Sequence, residues 1–157
     1  MQSMNVQLAT SDDLPALADI WYENKVLNQQ SDSGLKLLPD AKNCWSEDAH
    51  GWLENPRCRI WVATRESAVI GYIIGWLQDM PSGFEPSTVG CITEMALDLH
   101  TSSGGAGRDL LDAAREWFAT QHIENVITHV PHRQAVQQAF WRGQGARDWV
   151  DLMWLKL

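Results

Sequence analysis

Two apolar stretches, Arg59 to Thr64 and Ala68 to Gln78, are rich in Ile, Val, Trp and Tyr and are separated only by Arg65, Glu66 and Ser67. They read as a β-hairpin. Ahead of them Asn5 to Ala9 is a short β-like start, and Thr10-Ser11-Asp12-Asp13 is a capping signature with Pro15 suited to a first helical turn. Leu14, Leu17, Ala18 and Trp21 recur on one helical face, so a helix follows. Beyond Tyr22 the period dissolves. The polar segment from Asn24 to Asn43, with Gly34 and Pro39, reads as a loop or a broken helix, and Ser46 to Glu54 as a short helix before Pro56.

After the break at Pro81 to Pro86, Cys91 to Leu99 is again strand-like and runs into a glycine-rich loop. The helix beginning near Gly105 carries Ala106, Leu110, Ala113, Ala114, Trp117 and Phe118 as one apolar stripe. Asn125 to Val130 reads as a short strand. Pro131 and His132 open a last helix with Ala135, Val136, Ala139 and Phe140 on its face, stopped by Gly143 and Gly145. The tail from Asp148 to Leu157 reads as a final strand. Strands and helices alternate in this half, which calls for a mixed α/β sheet.

Composition narrows the picture. A chain of 157 residues, 45% hydrophobic and 20% charged, fits one globular domain spanning residues 1–157. The net charge of −8 argues against a nucleic-acid partner and suits an amine substrate. Cys44, Cys58 and Cys91 form no C-x-x-C pair, so neither a disulfide framework nor a zinc site is suggested. The N-terminus lacks the regions of a signal peptide, and the longest apolar run, Ala68 to Leu77, is too short to span a bilayer. A cytoplasmic protein with no membrane partner is expected. Nine tryptophans, scattered along the chain, are expected mostly in the core or in groove walls.

The strand, loop and helix from Ile92 to Leu111 carry the strongest chemical signal. Glycines at 104, 105 and 107 let a ligand approach the main chain, and the helix aims its positive end at the loop. Such a junction is suited to an anion, above all a phosphate. The chain has neither a G-x-x-x-x-G-K-[ST] run nor a G-x-G-x-x-G spacing, which disfavours a nucleotide-binding module.

The order of elements, the opening VQLATSDDLPALADIW, the loop SSGGAG at 102–107 and the closing AFWRGQGARDWVDLMWLKL together resemble the GNAT superfamily of acyl-CoA-dependent N-acetyltransferases. The loop falls in register with that family's pyrophosphate motif, [QR]-x-x-G-x-[GA]. The resemblance implies a mixed, mostly antiparallel sheet with splayed central parallel strands, flanked by about four helices. It also implies acetyl-CoA as co-substrate, its pantetheine arm in the wedge between Cys91 to Leu99 and Asn125 to Val130. Main-chain contacts from Met95, Ala96 and Leu97 are then expected, with the diphosphate at Ser102, Ser103, Gly104, Gly105, Ala106, Gly107 and Arg108. Gln134 and Trp141 complete the implied cofactor set. Four positions depart from the pattern. Ser102 replaces the usual Arg or Gln, and Leu99 a frequent proline. Gln134 stands for an Asn, and Trp141 for a tyrosine thought to protonate the departing thiolate, which indole cannot do.

Direct acetyl transfer to a small-molecule or peptide amine is the implied reaction, with no covalent enzyme intermediate and no metal. Glu94 is the candidate general base, because a carboxylate in an otherwise apolar run is costly unless it is used or paired. Tyr72 is an alternative acid in place of Trp141. The alternative function is a non-catalytic acyl-CoA-binding or sensory domain on the same fold. Cys91 reads as a buried thiol rather than a nucleophile, His132 as a helix cap, Asp98 as a solvated or helix-facing charge, and His129 with His132 as an incomplete ligand set. The acceptor is expected against Asn24 to Trp45, Trp76 and the turn before the last strand. The apolar final strand suits pairing in a homodimer.

Overall fold

A computed structural model describes residues 3–29, 34–102 and 104–157. The order of elements is β1 (Met4–Leu8), α1 (Leu14–Gln29), α2 (Ala41–Glu54), β2 (Cys58–Arg65), β3 (Ala68–Asp79), β4 (Thr88–Leu97), α3 (Ala106–Thr120), β5 (Val126–Thr128) and α4 (Ala135–Gly143). The five strands lie in sequence order in one sheet. β1 to β4 pair antiparallel, and β4 and β5 parallel. The mixed, mostly antiparallel α/β architecture expected from sequence is therefore present.

Side-chain alternation divides the core into two layers. Leu14, Leu17, Trp45, Val62, Tyr72 and Ile74 join α1 and α2 to one face of the sheet, while Trp61, Ile73, Leu110, Phe118 and Trp141 join α3 and α4 to the other. Burying each large apolar side chain contributes about 1.5–3 kcal/mol, so both layers matter. Gly90 shows how closely they pack, since a Cβ there would meet the Phe118 ring at 2.8 Å.

Three expectations need correction. Of the two readings of the polar segment after Tyr22 the broken helix holds, with α1 running to Gln29, but α2 begins at Ala41 rather than Ser46. The apolar period vanishes because polar residues of α1 face a cavity instead of a core. Residues 30–33 lie outside the described residues. The last helix starts at Ala135, after a turn at 132–133. The tail from Asp148 to Leu157 forms no strand, because within the protomer it finds no ladder partner. β5 is consequently the edge of the sheet, and the parallel pair is not central. Trp149 and Trp154 lie exposed on this tail, whereas Trp45, Trp61 and Trp141 are buried.

Candidate active site

The site begins with one extra residue. Gly75 faces Ile92 and Ile74 faces Glu94 across the β3–β4 ladder, leaving Thr93 without a counterpart. Such a bulge bends its strand and reverses the face taken by later side chains. Ile92 packs in the α3 layer, yet Glu94 is turned to the opposite face, where it meets Tyr72 and Trp45. β5 follows β4 only as far as the pair Ile92 and Thr128. From the bulge onward the two strands part and open a wedge. A cavity there is lined by Trp21, Asn24, Tyr72, Glu94, Met95 and Trp141, among others.

Glu94 is half-buried at the floor of this cavity. Its Oε2 accepts hydrogen bonds from the Tyr72 hydroxyl at 2.8 Å and the Trp45 Nε1–H at 3.2 Å. Trp45 stacks on Trp21, with centroids 5.9 Å apart and an interplanar angle of 25°. Burial pushes the Glu94 carboxyl above its usual range, against the opposing pull of Tyr72, Lys25, Trp45 and Trp21. Each donor to a carboxylate is worth about 1.5–3 kcal/mol, yet desolvation still wins. The result is a carboxylate more basic than one in water. Tyr72 itself is 1% exposed, and its phenol is raised well above its ordinary range, first by burial and then by the neighbouring Glu94. It stays a neutral donor.

Beyond the bulge β4 offers a free main-chain edge. The Asp98 N–H bonds to Ile70 O at 2.8 Å on the β3 side, so by alternation Met95 and Leu97 aim their N–H and C=O groups into the wedge. Asn24 Nδ2 takes up the Leu97 carbonyl at 3.0 Å while also bonding Ile20 O at 2.9 Å. Thus α1 is tied across the wedge, and the Met95 main-chain groups on that side have no partner among the described residues.

Asp98 then starts the glycine loop. Its carboxylate accepts from the His100 N–H at 3.0 Å and from Thr101 Oγ1 at 2.6 Å, bonds that hold it below its usual range. It organises the turn, rather than being simply solvated as its sequence position suggested. Gly104 and Gly105 have φ of 51° and 93°, with Gly105 capping α3. The N–H groups of Arg108 and Asp109 both bond Gly105 O, at 3.0 and 3.1 Å. Those of Ala106 and Gly107 have no main-chain acceptor among the described residues, as befits the first turn of a helix. Ser103 lies outside the described residues. A cation does reach the loop, although not from Ser102: Arg65, at the tip of the β2–β3 hairpin, donates from Nη1 to Ser102 O at 2.9 Å. Its Nη2 lies 2.5 Å from where a Cβ on Gly104 would sit, so a side chain there would displace the guanidinium as well as strain the left-handed backbone. Arg108 is exposed on the first turn of α3.

The structure therefore brings Glu94, Tyr72, Met95, Ala96 and Trp141 to one cavity. Leu97 and the glycine loop continue from it, while Gln134 lies outside its lining and donates to Asn28 Oδ1 at 2.6 Å. Trp141 is held edge-on by Phe140, which in turn packs against Gly107. Cys91 is a free, buried thiol raised by desolvation, in keeping with a core role. His132 caps nothing and instead stands 3.3 Å from Asp151. Trp76 packs on Trp52 and is absent from this cavity. Sequence reasoning missed Trp21 and Arg65, and it named Asn24 and Trp45 only as the bounds of a segment expected against the acceptor, not as partners of Leu97 and Glu94. A polar residue at Asn24 within a helical register was the only available signal.

The chain's own groups fit a long thioester cofactor. A strand-like edge beside a wedge suits an amide-bearing arm, and glycines at positive φ before a helix suit a diphosphate. No curated protein matches the chain. Among solved structures, a mutant of the BH1408 protein from Bacillus halodurans is similar at 15% identity, with 98% of this chain and 99% of that chain covered and a TM-score of 0.88. A predicted acetyltransferase from Clostridium acetobutylicum, solved with acetyl-CoA, is similar at 17% identity over 98% and 96% of the two chains, with a TM-score of 0.77. An aminoglycoside 6'-N-acetyltransferase from Acinetobacter haemolyticus is similar at 14% identity over 98% and 97%, with a TM-score of 0.76. The family described as acetyltransferase (GNAT) matches residues 19–146. With most of its length matched and the fold shared, this chain belongs to the GNAT acetyltransferase family.

Proposed function

We propose that residues 1–157 form one N-acetyltransferase domain that moves an acetyl group from acetyl-CoA to a primary amine of a small molecule or peptide. One observation carries this reading: a carboxylate of raised basicity stands where β4 leaves β5, beside a free main-chain edge. A primary amine has a pKa near ~10 and enters the site charged. Glu94 accepts its proton, directly or through one water, and leaves a nucleophilic lone pair. Positioned proton transfer of this kind contributes about 10²–10⁴-fold.

Met95 supplies the strand-like contacts that orient the acyl donor, and Ala96 and Leu97 carry that edge toward the loop. The N–H groups at Gly105, Ala106 and Gly107 receive the diphosphate, with charge from Arg65 and Arg108. Acetyl-CoA supplies a thioester whose thiol has a pKa near ~8.5 and leaves readily as thiolate, so no strong acid is required at Trp141. Trp141 walls the cavity, and Gln134 braces α4 against α1. Tyr72 acts as a positioning residue, because its proton is directed at Glu94. Asn24, Asn28 and Gln137 line the cavity and suit a polar acceptor. Three free thiols suit the cytoplasm.

The test is thiol release from acetyl-CoA across a panel of small and peptidic amines, alongside calorimetric titration with CoA. Turnover supports the proposal. Saturable CoA binding without turnover on any amine supports the acyl-CoA-binding alternative, and no binding overturns both.

A further inference from the structure

The wedge cavity carries one charge that acetyl transfer itself leaves unused. Among the described residues that line it, Glu94 on β4 is the one carboxylate and Lys25 on α1 the one ammonium. Elsewhere Lys42, Arg57, Arg115 and Arg142 each lie 2.7 to 3.0 Å from an aspartate. Lys25 pairs with no carboxylate among the described residues, although Asp and Glu outnumber Lys and Arg by 20 to 12. Its charge is felt at Glu94, whose carboxyl it pulls down, yet the two form no ion pair. Space therefore separates an anion at the floor from a cation at the exposed rim. The Gln137 amide, on α4, lines the same cavity half-buried, with no side-chain hydrogen bond among the described residues.

We infer that the acceptor is a small zwitterion of amino-acid size, its amine at Glu94 and its carboxylate held by Lys25 and Gln137. The inference rests on the acetyl-transfer reading and narrows it. A simple amine leaves Lys25 unmatched. A polycation finds one carboxylate and brings further positive charge against Lys25, a like-charge contact that disfavours it. A zwitterion answers both groups at once, with a charge-assisted hydrogen bond at each end. His129 also lines the cavity and has a ring N–H to offer the same carboxylate. Size agrees, because a cavity of about 90 Å³ is well below the ~300–1,000 Å³ of drug-sized sites. The reaction balances without another reagent. The amine nitrogen bonds the acetyl carbon as the C–S bond breaks with its electron pair on sulfur. That nitrogen sheds two protons, one through Glu94 to solvent and one to the thiolate, which leaves as the CoA thiol. The acceptor's carboxylate joins in no bond and serves to orient the amine. Lys25 is thereby a specificity-determining residue.

The test compares kcat/KM for thiol release across α-amino acids, their primary amides and their decarboxylated amines. The wild-type chain should favour the amino acid over both analogues by about 10-fold or more, the scale of one charge-assisted contact. Lys25→Gln should abolish that ratio, and Lys25→Arg should keep most of it. Because Lys25 also acts on Glu94, its loss alters the base for every acceptor alike. The ratio between matched acceptors cancels that effect. Calorimetric titration of the CoA complex with the preferred amino acid gives a readout without turnover, and affinity should fall by about 10-fold in Lys25→Gln. Turnover on amines and amides with no preference for the carboxylate would overturn the inference and leave acetyl transfer standing. A preference that survives Lys25→Gln would do the same. Absence of turnover on every acceptor would overturn acetyl transfer, and this inference with it.

Discussion

At the Glu94 end of the wedge, position is fixed by side chains from three separate elements. Trp45 comes from α2, Tyr72 from β3, and Glu94 itself from the far side of the β4 bulge. At the glycine loop, by contrast, position is fixed by main chain: two positive-φ glycines, an Asp98 turn and the first amides of α3. The contrast explains what each end tolerates. On the proposed reading a main-chain cradle survives loss of a particular side chain, so Ser102 is tolerated in the loop while Arg65 reaches it from the β2–β3 hairpin. A side-chain triad has no such reserve. Removing either donor lets the Glu94 carboxyl rise further.

The largest effect should therefore come from the triad. Glu94→Gln keeps the size and most of the hydrogen bonding, yet removes the proposed base, and turnover should fall by about 10²–10⁴-fold. Affinity for CoA, measured by calorimetry, should change by less than about 2-fold, because 1.4 kcal/mol is needed for a factor of ten. Unchanged turnover would place the base elsewhere and break the contrast.

Tyr72→Phe sharpens it. The phenol donates to Glu94 and so pulls the carboxyl down against the upward push of burial. Without that donor the carboxyl rises further and keeps its proton to higher pH. Because the base must be unprotonated, the acid limb of kcat/KM should lie above the ordinary carboxylate range in the wild type and move to still higher pH in the variant. Turnover near neutrality should drop by roughly 10-fold, with recovery as pH increases. The same shift has a consequence for stability. A carboxyl raised on folding makes the native state bind its proton more tightly than the unfolded chain, so its contribution is greatest at low pH. That contribution is lost as pH rises through the folded-state value. A loss of rate without movement of the limb would show that Tyr72 only packs.

The same contrast decides what could be read from the sequence. The glycine loop was legible because its chemistry is local: three glycines, an apolar strand before them and an amphipathic helix after. Glu94 was legible for a weaker reason, as a charge in an apolar run. Its partners were not, since Tyr72 and Trp45 lie 22 and 49 residues away, and nothing in Thr93 announces a bulge. Without that bulge, alternation would have set Glu94 beside Ile92 in the α3 layer. The second half of α1 was hidden for a related reason, because Asn24, Lys25 and Asn28 face a cavity and therefore erase the apolar period that identifies helices. The tail was misread in the opposite sense. Its strand pattern is real, but a strand requires a partner, and pattern alone does not supply one.

Arg65 offers the finest test of the main-chain end. Its guanidinium clamps the Ser102 carbonyl and fills the volume that the missing Cβ of Gly104 leaves open. Two contributions then meet in one side chain. One is mechanical, the holding of the loop, and the other is a positive charge near the first turn of α3. An exposed charge of this kind is worth about 1 kcal/mol or less, so Arg65→Ala should weaken CoA by roughly 5-fold. The loss should appear in KM for acetyl-CoA and leave saturating turnover within about 2-fold, since uniform binding affects KM alone. Arg65→Lys separates the contributions: it keeps the charge but not the planar fork that spans Ser102 and Gly104. If Lys restores affinity and the remaining penalty vanishes at low salt, the charge dominates. If Lys behaves like Ala at every ionic strength, the clamp does, and the loop's main chain depends on a side chain after all.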